Sequence, residues 1–371
     1  MIYLDNGATS LHKPQAVHRA VANALQRCAN PGRGGHPASL EASRQVSACR
    51  EEAARMFRCR TERVVMTTNC THGLNIAINS MIPPESRVII SGFEHNAVTR
   101  PLHGRRANIR IAGRRLFDWA DTLESFEKAL KNGADAAVFT HVSNVFGYVL
   151  PVEEMAALCR HYGVPFILDA AQSAGVLPVN MEALGAAFIA MPGHKGLLGP
   201  QGTGLLLCGT DPKPLLFGGT GSESIRQDMP EFLPDRLEAG THNVPGIAGL
   251  LEGIRYVRGR GVESICLKER SLALWLAEEL KKWPDVRVYA ETGLRNQAGV
   301  LSVVPMKKDV EEIGEKLAER DIAVRTGLHC APLAHDSAGT LKTGTIRLSF
   351  SDFNTLEECE KFLEIFGEVL A

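Results

Sequence analysis

No stretch of this 371-residue sequence approaches the ~18 consecutive apolar residues that a membrane span requires. The first residues, Met1-Ile2-Tyr3-Leu4-Asp5, lack a basic segment leading into a long apolar one, so a cytoplasmic protein is expected. Net charge is nearly absent: 41 Lys and Arg face 42 Asp and Glu, leaving −1. Bulk electrostatics therefore draw the chain neither to nucleic acid nor to an anionic membrane, and small-molecule chemistry becomes the default. The nine cysteines are odd in number and contain no C-x-x-C pair, which fits neither a disulfide scaffold nor a zinc site. No metal site is expected. Internal repeats and low-complexity tracts are also missing.

What is present is enough apolar matter for a large core, at 44% hydrophobic content. Between Val64 and Leu207, short apolar runs alternate with segments of helical periodicity, the pattern of a largely parallel sheet covered by helices. Seven strands are predicted: Val64–Thr68, Arg87–Ser91, Ile109–Ile111, Ala136–Thr140, Pro165–Asp169, Ala187–Ala190 and Gly204–Leu207. After Gly218-Gly219 long helical stretches give way to mixed strands and helices, predicting a smaller α+β lobe completed by the first residues of the chain. The expected division is a large domain of residues 15–245 and a small one of 1–14 with 246–371.

In such sheets ligands collect beyond the carboxyl ends of the strands. Asp169 ends one apolar run there, and Lys195 follows another, in Met191-Pro192-Gly193-His194-Lys195-Gly196. One amine and one carboxylate at the ends of neighbouring buried strands suit pyridoxal phosphate: the amine condenses with its aldehyde and the carboxylate holds its pyridine nitrogen protonated. The flanking glycines are expected to let the backbone approach the cofactor. Asp169 could instead simply cap a helix. Asn69-Cys70-Thr71-His72-Gly73 supplies a polar strand-to-helix turn for a phosphate, although Thr71 also suits ordinary capping. His95 offers a flat ring for stacking and proton transfer, or else sits satisfied by a loop carbonyl. Asn144 could donate to a phenolic oxygen or to a substrate carboxylate, and Gln172 to the same phenolic oxygen from the other side, while an Asn near Gly147 is also a common turn residue.

A second cluster lies in Arg325-Thr326-Gly327-Leu328-His329-Cys330-Ala331-Pro332. Of the nine thiols, Cys330 alone sits in a loop among arginine and histidines, where cationic neighbours favour thiolate. Arg347, on the alternating strand around Thr345–Ser349, needs a carboxylate, either an amino-acid substrate's or an internal one.

Lysine, aspartate, loop thiol and strand arginine in this order resemble the class V aminotransferase-fold enzymes, and among them the cysteine desulfurases. The most specific pieces are Thr140–Asn144, Asp169-Ala170-Ala171-Gln172, Gly193-His194-Lys195, Glu238-Ala239-Gly240-Thr241 and Arg325–Cys330. The short Arg-Thr-Gly-Leu-His-Cys segment is similar to the SufS-type branch, which includes selenocysteine lyases. Pro192 departs from the family's usual serine, and His72 occupies a position often acidic in that branch.

The resemblance implies fold type I of the pyridoxal phosphate enzymes, with a mostly parallel seven-stranded sheet, a smaller α+β domain and a homodimer. It implies that Lys195 forms the Schiff base, His95 stacks on the ring, Asp169 binds the pyridine nitrogen, and Asn144 and Gln172 flank the cofactor. Thr71, His72 and His194 would face the phosphate, with Thr241 contributed by the neighbouring subunit. Arg347 would anchor the carboxylate of L-cysteine, His36 and Arg325 would line its pocket, and Cys330 would take the sulfur for delivery to an acceptor protein. The same fold also serves selenocysteine lyases and amino-acid lyases or transaminases independent of Cys330, and it could persist as a non-catalytic scaffold.

Overall fold

The computed structural model describes residues 1–32, 34–291 and 295–371. Short apolar runs, buried throughout except in the edge strand β4 and at the first residue of β3, make its main sheet: β2 (Val64–Thr67), β3 (Arg87–Ser91), β4 (Asn108–Ala112), β5 (Ala136–Thr140), β6 (Phe166–Asp169), β7 (Phe188–Pro192) and β8 (Gly204–Cys208), after the short β1 (Ile2–Tyr3). Their spatial order is β2-β8-β7-β6-β5-β3-β4, and β8 alone runs antiparallel to both neighbours. All seven predicted strands are present, and the fold class is the expected one.

Helices α1 (Gln15–Arg27), α2 (Pro37–Phe57), α3 (Cys70–Met81), α4 (Asn96–Gly104), α5 (Trp119–Lys131), α6 (Val152–Tyr162) and α7 (Met181–Leu184) belong to this lobe. Polar side chains fix several of their starts at the strand ends. Asn69 accepts the His72 N–H to begin α3, and His95 accepts the Ala97 N–H to begin α4. Both helix N-termini are thereby aimed at the carboxyl edge of the sheet.

Helix α8 (Val244–Arg260) packs against α1 and α2, and its Val244, Ile247, Leu250, Leu251 and Ile254 share the core beneath the main sheet. The sequence division at 245 falls in the first turn of this helix. Its uniform apolarity carries no mark of which core it enters.

The second lobe begins with α9 (Val262–Leu280). Its four-stranded sheet, in the order β12-β13-β10-β9, is built from β9 (Val286–Tyr289), β10 (Val300–Pro305), β12 (Arg325–Gly327) and β13 (Thr345–Ser349). Around it lie α10 (Val310–Ala318), β11 (Ile322–Ala323), α11 (Pro332–Ala338) and α12 (Leu356–Leu370). At the N-terminus β1 pairs in parallel with β11, and Leu4 packs in the same hydrophobic cluster as Leu301, Ile346 and Phe362.

Candidate active site

β6 ends on Asp169, which is buried at the carboxyl edge of the sheet. Both of its side-chain hydrogen bonds fall on Oδ1, from the Ala171 N–H at 2.9 Å and the Cys70 thiol at 3.4 Å. Oδ2 is left for a donor in the cavity that Asp169 lines. Burial and the neighbouring Asp169 carboxylate push the Cys70 thiol well above its ordinary pKa, so it stays an S–H donor. Cys70 therefore orients Asp169 and is no nucleophile.

Lys195 follows β7 and lines the same cavity. Burial first and the Arg347 guanidinium second lower its proton affinity, partly offset by Asp169, Cys70 and Asp5. No hydrogen bond or ion pair holds its Nζ among the described residues. A lysine poised toward its neutral form, without a competing partner, is prepared for attack on a carbonyl carbon.

The flanking glycines lie against their own chain. A Cβ on Gly193 would lie 2.1 Å from Thr203 Oγ1, and one on Gly196 would lie 2.5 Å from the Ala174 carbonyl oxygen. They permit close packing of the lysine loop on its own chain.

Thr71 lies in the first turn of α3 with its hydroxyl free, beside Asn69 in the cavity wall. His194 lines the same wall; its Nδ1 sits 3.0 Å from Thr9 Oγ1, and burial pulls its pKa down to about 4. Thr9 Oγ1 also donates to the His194 carbonyl at 3.2 Å. The His72 ring turns the other way, with Nδ1 3.3 Å from Thr68 Oγ1, and only its backbone takes part in the helix start. His95 lines the cavity with Nδ1 committed to the Ala97 N–H at 3.0 Å, and burial lowers its pKa. Gln172 donates to the Gly7 carbonyl at 2.9 Å and borders the cavity from the opposite side.

Cys330 is the one exposed cysteine of the nine. Its loop is tied to the large lobe at two points: the Asn96 N–H donates to the Cys330 carbonyl at 2.8 Å, and Asn144 Nδ2 donates to the His329 carbonyl at 2.8 Å. Asn144 lines the Lys195 cavity and Asn96 follows His95, which lines it too, so the thiol loop is anchored to that cavity's wall.

Arg347 donates through Nη1 to the Asn144 carbonyl at 3.0 Å and through Nη2 to Asp5 Oδ1 at 2.8 Å, leaving Nε buried without a partner. Arg325 grips the same Asp5 through Nη2 at 2.8 Å and Nε at 3.1 Å. One carboxylate thus bridges both arginines. Sequence reading allowed an internal ion pair for Arg347 without naming Asp5, because the pair spans nearly the whole chain. Two expected residues stand outside this arrangement. His36 is exposed at the start of α2, where it accepts the Ser39 N–H, and Thr241 is exposed in the loop before α8; neither lines the cavity. Among the described residues no group of three or more His, Cys, Asp or Glu is arranged to hold a metal.

Residues 2–362 match the aminotransferase class-V family model. The chain belongs to that family. A probable cysteine desulfurase of Pyrococcus abyssi is 31% identical, the match covering 100% of this chain and 94% of that protein. One from Methanothermobacter thermautotrophicus matches at the same identity and coverage. Among solved structures, the apo cysteine desulfurase of Thermococcus onnurineus NA1 superposes with a TM-score of 0.93 at 32% identity, covering 100% of this chain and 94% of that one. The fold is also that of a cysteine desulfurase from Escherichia coli, with a TM-score of 0.88 at 24% identity. No helix among the described residues is long and apolar enough to cross a membrane.

Proposed function

We propose that this protein is a pyridoxal phosphate-dependent cysteine desulfurase that converts L-cysteine to L-alanine and takes the sulfur onto Cys330. The observation that carries the reading is the double tether of the Cys330 loop to Asn96 and Asn144, which keeps a thiol beside the cavity of a free, low-affinity lysine. The residues present fit the cofactor. Thr71, the N-terminal N–H groups of α3 and His194 would hold its phosphate, Asp169 Oδ2 its pyridine nitrogen, His95 its ring face, and Asn144 and Gln172 its edge. His72 would contribute its backbone. When bound, the cofactor supplies an aldehyde for amines and an electron-withdrawing ring.

In the proposed reaction Lys195 moves the proton at the substrate Cα, and burial with the nearby Arg347 guanidinium lowers its proton affinity toward that role. Arg347, through its unpaired Nε, and Arg325 bind the substrate carboxylate. The Cys330 thiolate attacks the substrate sulfur; the S–S bond forms as the Cβ–S bond breaks, and Cβ gains a proton. Cysteine and one enzyme thiol become alanine and one enzyme persulfide, with atoms and electrons balanced.

The proposal includes a homodimer in which Thr241 reaches the partner's phosphate site. Its support is the exposed apolar set Leu216, Phe217, Ile225 and Phe232 in the segment leading to Thr241, a surface suited to burial by a second copy. Packing supports two lobes meeting near Gly261, after α8. A sulfur acceptor protein would approach the exposed Cys330, and nine unpaired cysteines suit a reducing, cytoplasmic setting.

The test is mass analysis after exposure to L-cysteine: the peptide holding Cys330 should gain one sulfur atom. Cys330→Ala should lower alanine formation by at least roughly 100-fold while pyridoxal phosphate stays bound. Unchanged alanine formation in that variant would replace this reading with a lyase independent of Cys330. Running selenocysteine in parallel assigns the preferred chalcogen.

A further inference from the structure

Lys195 and Gln172 border a second cavity on the side facing the small lobe, whose other lining residues differ from those of the cavity that holds Asp169 and His95. This cavity, of about 40 Å³, lies where the N-terminal segment, the lysine loop, α9, β10 and the end of β13 meet. Three of its lining side chains present oxygen acceptors that accept no hydrogen bond among the described residues. The Glu269 carboxyl, on α9 and 6% exposed, makes no hydrogen bond. Asp352 Oδ1 and Asn6 Oδ1, on residues each 7% exposed, are buried without a partner.

The orientation of Asn6 is settled by its other atom. Nδ2 donates to the Ser349 carbonyl at 2.9 Å, so Oδ1 is the free end. Glu269 is accommodated by a glycine: a Cβ on Gly299 would sit 3.0 Å from Glu269 Oε2 and 2.5 Å from its Cβ. Buried oxygen acceptors without donors are costly alone and favourable around a hard cation.

We propose that the cavity bounded by Glu269, Asp352 and Asn6 binds one monovalent metal cation, potassium or sodium, at the junction of the two lobes. Charge balance selects the valence. Asp352 Oδ2 already accepts from Tyr256 Oη at 2.9 Å and Arg260 Nε at 3.1 Å, and Lys268 Nζ lies 3.9 Å from Oδ1. Arg260 and Lys268 thus offset Asp352 and an ionised Glu269, and a single added charge leaves the site with the same net charge as a proton on Glu269. A divalent ion would add a further, uncompensated charge. The volume admits a bare ion with about one or two waters, since a single water needs about 10–15 Å³ on this measure.

The experiment uses the holoenzyme exchanged into choline chloride and titrated with KCl, NaCl or MgCl2 at constant ionic strength. KCl or NaCl should raise the melting temperature by about 3 °C over choline, the effect of a ligand near 100 times its Kd on a chain of this size. E269Q should abolish the rise. Crystals grown with rubidium or thallium(I) should give an anomalous peak bounded by Glu269, Asp352 and Asn6, which keeps the test decisive if E269Q does not fold. Equal melting in KCl, NaCl and choline, a larger rise with MgCl2, a rise retained in E269Q, or a cavity holding only water would each overturn the proposal. Neither readout needs turnover, so its failure is distinct from failure of the desulfurase reading.

Discussion

Replacing Asp5 by Asn isolates the charge that holds the two arginines, with side-chain shape preserved. Arg347 is 2% exposed, and Asp5 is its only anionic partner among the described residues. Removing one member of a buried ion pair costs about 3–5 kcal/mol, most of it the burden of leaving the other charge unpaired. The lower end applies here, because the Asn carbonyl still accepts one hydrogen bond and the Asn144 carbonyl still holds Nη1. A chain of this length unfolds with an entropy of about 0.8 kcal/mol per degree, so the melting temperature should fall by about 4 °C. Arg325→Gln breaks the other arm of the bridge, but the Arg325 side chain is 51% exposed. Solvent screening limits that loss to about 1 kcal/mol, or about 1 °C. Scanning calorimetry of both variants at pH 7 checks the contrast. Equal shifts, or an Asp5→Asn protein melting within about 1 °C of wild type, would refute the claim that Asp5 neutralises a buried guanidinium.

Glu94 should make stability fall as pH rises. Burial pushes its carboxyl up to about 8, against hydrogen bonds from Ser91 and Thr140 that pull it down. The native state therefore holds a proton that the unfolded chain releases above its ordinary value of 4.5, and the resulting loss of stability runs from there up to about 8. Denaturant titrations should show Glu94→Gln gaining roughly 2 kcal/mol on wild type between pH 6 and 8, and parallel curves would contradict this. Cys70→Ala removes the thiol donor from Asp169 Oδ1 and leaves the Ala171 N–H. Pyridoxal phosphate affinity, followed by absorbance during dialysis, should drop by less than about tenfold, because the lost hydrogen bond is worth about 1 kcal/mol. Complete loss of the cofactor would make Cys70 more than a support for Asp169.

The parts legible in the sequence were those with a local signature. Val88–Ile90, Ala136–Phe139 and Phe166–Leu168 are apolar on both faces, and only a strand covered on both sides uses such runs, so the central sheet and the residues just beyond its strand ends could be read directly. Lys195, Asp169 and His95 lie in one cavity wall for that reason. What escaped depends on long-range packing. The Asp5 bridge closes across 342 positions, and nothing near Leu4-Asp5-Asn6 announces it. Glu269 sits in a helix whose charged residues all look solvent-facing by composition, yet it points into the lobe junction.

The same long-range ties fix how the Cys330 loop sits against the wall of the Lys195 cavity. His329 and Cys330 both adopt the left-handed conformation, with φ of 49° and 56°, and neither is glycine. Each such residue carries about 1 kcal/mol or more of backbone strain, so a free loop of this sequence would relax away from it. The Asn96 N–H and the Asn144 side chain, both from the large lobe, grip the two carbonyls of this strained pair. Their bonds offset a cost that the loop would otherwise shed by moving. A change at Asn144 that weakened its bond to the loop would therefore also release strain, and the two effects would reinforce each other. Because Asn144 lines the lysine cavity while holding the His329 carbonyl, events in that cavity and the position of the thiol are mechanically joined. The reach of Cys330 is thus set by the large lobe as much as by the loop that carries it.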